Sequence, residues 1–310
     1  MTTLPQPFDL SKELAHSLTM GAPIVALESA VITHGLPRPT NHELASHLEA
    51  DIRAEGANPA TVALLDGRIK VGLEPDELAR LAALENTRKI SPRDFGIALA
   101  NGLSGGTTVA ATLHVAHQAG IRVFATGGIG GVHRGSTFDV SADLPQLGKT
   151  PVLVVCAGAK SILDLPATRE VLETQGVPVI GYQTDDFPAF YTRSSGLSVD
   201  YRVDTAEAAA AIATQSWKAG IQSAVLLVVP PPEEAALPEA QMEEAVVAAI
   251  AEAEALGIHG AATTPFLLGR MSELTKGESL TANLALLRNN AKVAAKVAVA
   301  MAAMKKPPSI

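Results

Sequence analysis

Short apolar runs of strand length recur along this chain, each followed by a turn and then by a segment rich in Ala, Leu and Glu. PIVALES (23–29), IRVFA (121–125), TPVLVVCAG (150–158), VPVIGYQ (177–183) and SAVLLVVP (223–230) are the clearest of them. Runs that stay apolar at consecutive positions suit strands buried on both faces, the condition inside a parallel sheet covered by helices. ATVALLDGRIKVGL (60–73) differs, because Asp66-Gly67 between two β-type runs is a hairpin signal. Helical spacing is expected from about Asn41, over 74–86 with Pro75 in the first turn, near 94–101, and in the Ala-rich stretch that Gly120 closes. Further helices are expected near 167–175, within 204–220, around 239–255 and around 279–303. This rhythm predicts an α/β fold with a largely parallel or mixed sheet and helices on both faces. Ligands in such sheets gather beyond the carboxyl ends of the strands, which here are Glu28, Gly127 to His133, Lys160 and Pro230.

Several function classes are disfavoured at once. A chain of 310 residues with a formal charge of −8 lacks the excess of Lys and Arg that a nucleic-acid backbone demands. Cys156 is the single cysteine and lies inside an apolar run, which predicts a buried inert thiol, no disulfide and no zinc cluster. The first twenty residues lack a basic and apolar leader pattern, and no run is long enough to span a bilayer, so a cytoplasmic location is expected. HELASH (42–47) spaces its histidines five apart, about 140° around a helix, so it is not the zinc-protease pattern. GGIGGVH (127–133) is not a dinucleotide fingerprint; it reads as a cradle of backbone donors for a phosphate or oxyanion.

Four stretches carry possible chemistry. Glu28 ends an apolar strand, where desolvation raises a carboxyl pKa and suits it to donate a proton; satisfaction by backbone donors is the plainer reading. THGLPRP (33–39) brings His34 and Arg38 close behind it. TFDVSADL (137–144) holds Asp139 and Asp143, a pattern that suits a hard divalent cation and also arises by accident. RKISPR (88–93) concentrates Arg88, Lys89 and Arg93, either as a solvated face or as a phosphate site. CAGAK ends on Lys160, which is either an ordinary loop lysine or an amine placed for covalent catalysis.

ALESAVITHGLPRPTN, GANPATVALLDGRIKVGL, TTVAATLHVAHQAGIRVFATGGIGGVHRG, FDVSADL, VVCAGAKSILDLPATREVLET, GVPVIGYQTDDFPAFY and TPFLLGRMSELTKGESLTANLALLRNNAKVAAKVA, taken together and in order, resemble the pseudouridine-5′-phosphate glycosidase family, also called indigoidine-synthase-A-like. The resemblance implies a single three-layer α/β/α domain over 1–310 (with frayed ends at about 1–8 and 304–310), a homotrimer, and a divalent cation, usually Mn²⁺. The implied reaction is reversible cleavage of the C-glycosidic bond of pseudouridine 5′-phosphate, by ring opening and a lysine adduct, to uracil and ribose 5-phosphate. In this resemblance Glu28 matches the proton donor, Lys160 the nucleophile and Asp139 the metal ligand. Lys89, Val109, Ser141, Ala142 and Asp143 match substrate-binding positions, and Asn283 matches a base-contacting asparagine, with Asn289 and Asn290 as alternatives.

Two departures stand out: Val229 precedes Pro230 where many relatives carry Asn-Pro, and the HRGSTFD spacing before Asp139 is about two residues short for the family. The alternatives are another Schiff-base lyase of aldolase type acting on a sugar phosphate through Lys160, and a non-catalytic phosphosugar binder.

Overall fold

The computed structural model describes residues 8–135, 139–258 and 263–304. Along the chain run β1 (Phe8–Leu10), α1 (Lys12–Met20), β2 (Ile24–Leu27), a π-helical turn (Val31–Gly35), α2 (Thr40–Ala54), β3 (Asn58–Leu65), β4 (Arg68–Val71), α3 (Pro75–Ala83), β5 (Arg88–Ile90), α4 (Phe95–Ala100), β6 (Gly105–Thr107) and α5 (Val109–Gln118). There follow β7 (Val123–Ala125), β8 (Val132–His133), α6 (Asp143–Leu147), β9 (Leu153–Cys156), β10 (Leu163–Asp164), α7 (Leu165–Thr174), β11 (Val179–Tyr182), β12 (Tyr201–Val203), α8 (Ala206–Lys218), β13 (Val225–Val228), α9 (Glu239–Ala255), α10 (Thr263–Leu274) and α11 (Glu278–Met304).

The local rules act as the sequence suggests. Asp66 and Gly67 both adopt positive φ, 49° and 71°, the geometry of a two-residue hairpin turn between antiparallel β3 and β4. At α3, Pro75 occupies the first turn and the Glu77 carboxylate accepts the Glu74 N–H at 3.1 Å, closing a capping box. Ser11, Thr108, Asp164 and Thr205 cap α1, α5, α7 and α8 with side-chain oxygens. Gly120 takes φ 79° just past the end of α5, as expected of the residue closing that helix.

The main sheet runs β1-β4-β3-β2-β7-β9-β13-β11-β12, and from β3 to β12 every neighbouring pair is parallel. All residues of β2, β7, β9 and β13 are buried, and since successive side chains point to opposite faces, both faces must be covered. On one face α11 crosses β2, β7 and β9 between α2 and α8, and the Arg288 guanidinium clamps Asp51 of α2 at 2.7 and 3.0 Å. Against β2 and β3 lies α5, packed with α6 and buried nearly all round. A single apolar cluster runs from Leu14 to Met301, with a smaller one between the π-helical turn, β3 and α3. This is the α/β architecture expected, in a mixed and mostly parallel sheet.

The structure differs from the sequence reading in places. Residues 88–90 and 105–107 form β5 and β6, a parallel pair joined to β3 that the sequence pattern did not mark as strands. Helix α10 was not expected. Of the fraying expected at about 1–8 and 304–310, residues 1–7 and 305–310 lie outside the described residues, as do 136–138 before Asp139; Phe8 pairs in β1 and Met304 belongs to α11. No helix among the described residues is long and apolar enough to cross a membrane.

Candidate active site

Strand order decides what meets at the carboxyl edge of the sheet. β2, β7 and β9 are consecutive, so Glu28, Thr126 and the 157–160 turn leave three adjacent strands side by side. The strands that carry Glu28 and Lys160, β2 and β9, run about 10 Å apart, two strand spacings. Both residues line one cleft of about 620 Å³. Lys89, Val109, Asp139, Ser141, Ala142, Asp143 and Asn283 line the same cleft. The nine positions that the resemblance assigns to acid, nucleophile, metal and substrate therefore converge there.

Glu28 is held by its neighbours on both sides. Ser29, buried directly after it, donates to Val62 O at 2.5 Å and accepts the Thr107 N–H at 3.0 Å, fixing the turn to β3 and β6. The Thr126 hydroxyl donates to Glu28 Oε1. Burial raises the Glu28 pKa above the ordinary glutamate value; the positive charge of Lys160 and the Thr126 hydrogen bond oppose this, Asp143 adds to it, and Lys89 counters it. The net direction is upward, which keeps a larger fraction of Glu28 protonated near neutrality. The described hydrogen bond to this carboxyl comes from a side-chain hydroxyl, that of Thr126.

Lys160 leaves β9 through Gly158, whose φ of 83° lets the chain turn where an added Cβ would sit 2.1 Å from Pro188 O. The Lys160 N–H donates to Ile129 O at 3.2 Å and its carbonyl accepts the Leu163 N–H at 3.0 Å, so the backbone is fixed while the side chain lines the cleft. Lys89 sits mid-strand in β5, where alternation turns it away from Arg88. Arg88 pairs with Asp94 at 2.8 Å, whereas Lys89 and Arg93 line the cleft. Burial and the nearby Lys160 charge lower the Lys89 pKa, with Glu28 and Asp143 opposing. Lys149, His34 and His133 complete the basic lining. Burial lowers the His34 pKa; its Nε2 faces Thr87 O at 3.0 Å, so it carries the hydrogen, and Nδ1 faces the Thr33 hydroxyl at 2.7 Å. Arg38 instead bonds the carbonyls of Ala82 and Leu84, serving the fold.

Asp143 behaves differently from a free ligand. Its Oδ1 accepts the Ala110 N–H at 2.9 Å and Oδ2 accepts the Gly130 N–H at 2.8 Å, so it ties the first turn of α5 to the glycine loop. Part of the anion cradle expected in that loop is already committed inside the protein. Ile129 N–H goes to Gly158 O at 3.0 Å, Gly130 N–H to Asp143 and Val132 N–H to Thr168 Oγ1 at 3.0 Å, so these donors are consumed within the protein. Asp139 is exposed and accepts the His133 N–H on its backbone oxygen at 2.9 Å. Among the described residues no group of three or more His, Cys, Asp or Glu side chains is placed to hold a metal. Asp143 is bound to two amides and Asp94 to Arg88, whereas a hard cation that keeps most of its waters needs only one or two carboxylates.

Of the three asparagines, Asn283 lines the cleft, Asn289 reaches Pro230 O at 3.4 Å, and Asn290 donates to Thr126 O at 2.9 Å and Gly127 O at 3.3 Å. Val229 is buried and donates to Cys156 O at 2.8 Å, so that departure lies in the core. Cys156 is fully buried and its thiol is pushed up to about 12 by burial, as an inert thiol should be. Thr126, Phe190 and the α10 residues Thr264, Pro265 and Leu268 are site elements the sequence did not single out. For Thr126 a signal existed, since a hydroxyl ending a buried strand next to a glycine run is as conspicuous as Glu28.

A model of the indigoidine synthase A-like protein family matches residues 13–300. The chain is 56% identical over 294 residues to a pseudouridine-5′-phosphate glycosidase of Herpetosiphon aurantiacus, covering 94% of this chain and 97% of that one. To the protein of the same name from Caldanaerobacter subterraneus subsp. tengcongensis it is 53% identical over 293 residues, covering 94% and 95%. Among solved structures it is similar to a prealnumycin C-glycosynthase in complex with ribulose 5-phosphate, with TM-score 0.90, 42% identity and coverage of 97% and 99%. It is also similar to an indigoidine synthase A-like protein of Thermotoga maritima, with TM-score 0.87, 35% identity and coverage of 95% and 96%.

Proposed function

The chain belongs to the indigoidine synthase A-like protein family, and from that premise we propose that it reversibly cleaves the C-glycosidic bond of pseudouridine 5′-phosphate to uracil and ribose 5-phosphate. The observation that carries the reading is the meeting of Glu28, Thr126 and Lys160 at the ends of three adjacent parallel strands in one basic cleft. Relatives named for this reaction, and a structural neighbour that forms C-glycosides and holds a five-carbon sugar phosphate, support it.

A carbon leaving group cannot depart as an ordinary glycoside's oxygen does, because the leaving atom C5 has no lone pair for an acid to protonate. In the proposed sequence, protonated Glu28 gives its proton to the ribose ring oxygen and the C1′–O bond opens as the pyrimidine's electrons shift toward C1′. The neutral amine of Lys160 adds to C1′, and the proton its nitrogen sheds returns to Glu28 and on to C5 of the base. The C1′–C5 electron pair stays with the base, and the lysine lone pair forms C1′=N. Water hydrolyses that imine, giving the aldehyde of ribose 5-phosphate and restoring Lys160. Lys89, Arg93 and Lys149 supply the charge that a phosphate dianion seeks, and Asn283 offers an amide to the base.

Asp139 is the residue that would hold a divalent cation such as Mn²⁺, which when bound would offset phosphate and carboxylate charge. Asp139→Ala should weaken Mn²⁺ binding in a direct titration, and an unchanged isotherm would remove that role. The same proposal carries a homotrimer, checked by light scattering, and a cytoplasmic location, checked by cell fractionation. The test of the function itself is free uracil from pseudouridine 5′-phosphate with Mn²⁺, a chelator control, and Lys160→Ala alongside. Uracil release in the parent and none in the variant is expected, together with a borohydride-trapped adduct only where Lys160 is present. Full turnover by Lys160→Ala would discard the lysine adduct.

A further inference from the structure

Phe190 is the one bulky aromatic residue among the described residues held at a left-handed backbone, with φ 65°. Such a conformation is a steric outlier for a large side chain and persists only where surrounding structure imposes it, which is common at ligand sites. Here the imposing contacts are visible. The Phe190 N–H donates to Ala157 O at 3.0 Å, three residues before Lys160. Its ring packs edge-on against Tyr191 with centroids 4.7 Å apart and planes at 85°.

The ring also lies over bare glycine backbone. A Cβ at Gly128 would stand 2.6 Å from Phe190 Cδ2, and one at Gly127 would stand 3.4 Å from Phe190 Cε2 and 3.1 Å from Leu287 Cδ2. Phe190 and Leu287 therefore meet over Gly127, the residue after the threonine that bonds Glu28. Asn283 is one helical turn before Leu287 on α11, so both project on the same face. All four residues, Gly127, Phe190, Leu287 and Asn283, line the cleft. An apolar wall with an aromatic edge, next to one amide bearing a donor and an acceptor, matches a small planar heterocycle with an N–H and C=O edge. The sugar phosphate instead needs the cationic lining of Lys89, Arg93 and Lys149.

We infer that Phe190 is the packing surface for the leaving base, a specificity-determining residue that reads the pyrimidine and not the sugar phosphate. The inference rests on the proposed function and deepens it. Were Phe190 only a core residue, its loss would disturb both halves of the substrate alike, because Ala157 and Gly158 lead directly to Lys160.

The reversible reaction lets the two halves be measured separately. In the synthetic direction, uracil and ribose 5-phosphate are added to parent protein, Phe190→Leu and Phe190→Tyr, and the KM for each substrate is read. Base stacking on an aromatic side chain commonly accounts for a change of about 10-fold or more on its removal. Phe190→Leu should raise KM for uracil by about that factor, leave KM for ribose 5-phosphate within about twofold, and still give a borohydride-trapped ribose 5-phosphate adduct. Phe190→Tyr, keeping the ring, should raise KM for uracil less than Phe190→Leu does. An unchanged uracil KM in Phe190→Leu overturns the inference, and so does an equal rise in both constants or loss of the trapped adduct. Parent protein that joins no uracil to ribose 5-phosphate overturns the underlying reading, and this one with it.

Discussion

Replacing Thr126 by valine isolates one hydrogen bond at the proposed acid. The side chain is buried and valine has nearly its shape; its N–H goes to Val155 O at 3.0 Å and its carbonyl accepts from Asn290 at 2.9 Å, so the backbone has independent anchors. The hydroxyl donates to Glu28 and thereby favours the carboxylate, opposing the upward push of burial. Removing it should raise the Glu28 pKa further. A hydrogen bond to a charged group is worth about 1.5–3 kcal/mol, about tenfold or more in a proton equilibrium. Glu28 must be protonated to act, so activity falls as pH climbs through its pKa. In Thr126→Val the high-pH limb of kcat/KM should therefore move upward by about one unit or more, while the low-pH limb stays. The assay is uracil release across pH under conditions where the fold is intact by circular dichroism. A high-pH limb that does not move, or moves down, would refute the view that Thr126 tunes an acid at Glu28.

Glu28→Gln should abolish turnover while keeping ligand binding, and wild-type rates in the variant would end the acid assignment. It should also be more stable than the parent above about pH 4.3, the unfolded glutamate value. Because the folded pKa is raised, the parent's stability is whole below the unfolded pKa and is lost as pH rises through the folded one; the variant's advantage in Tm should grow over that window and vanish in acid. Lys89→Met should raise KM for the phosphorylated substrate with a smaller change in kcat. Unchanged discrimination between pseudouridine and its 5′-phosphate would remove Lys89 from phosphate recognition.

Much of this protein was legible from its residues because the relevant physics is local. Short apolar runs rich in Val, Ile and Leu and bounded by turn residues suit buried strands, Asp66-Gly67 can turn a hairpin, and Pro75 and Gly120 mark helix ends. Glu28 and Lys160 could be suspected because a charge that closes an apolar run must be either solvated or employed. Other features carry no such mark. β6 is built from Gly105, Gly106 and Thr107, two of them glycines with little preference for a strand, and exists because β3 offers an edge to pair with. α10 holds Pro265 and Gly269, which weaken a helical reading, and it forms against α9 and α11.

The division between the two levels follows from the range of the interactions. The sequence by itself determined the alternation of strand and helix, the inert thiol at Cys156, and the candidates Glu28, Lys89, Asp139 and Lys160, since each depends on neighbours within a few positions. Only the tertiary structure decided that β2, β7 and β9 are adjacent, although β3 to β6 intervene in the chain. That order places Thr126 against Glu28, turns Asp143 from a prospective ligand into a clamp between Ala110 and Gly130, and folds Phe190 over Gly127 and Gly128. Hydrogen bonds and packing act over a few ångströms in space, and strand pairing sets which distant residues come within that reach.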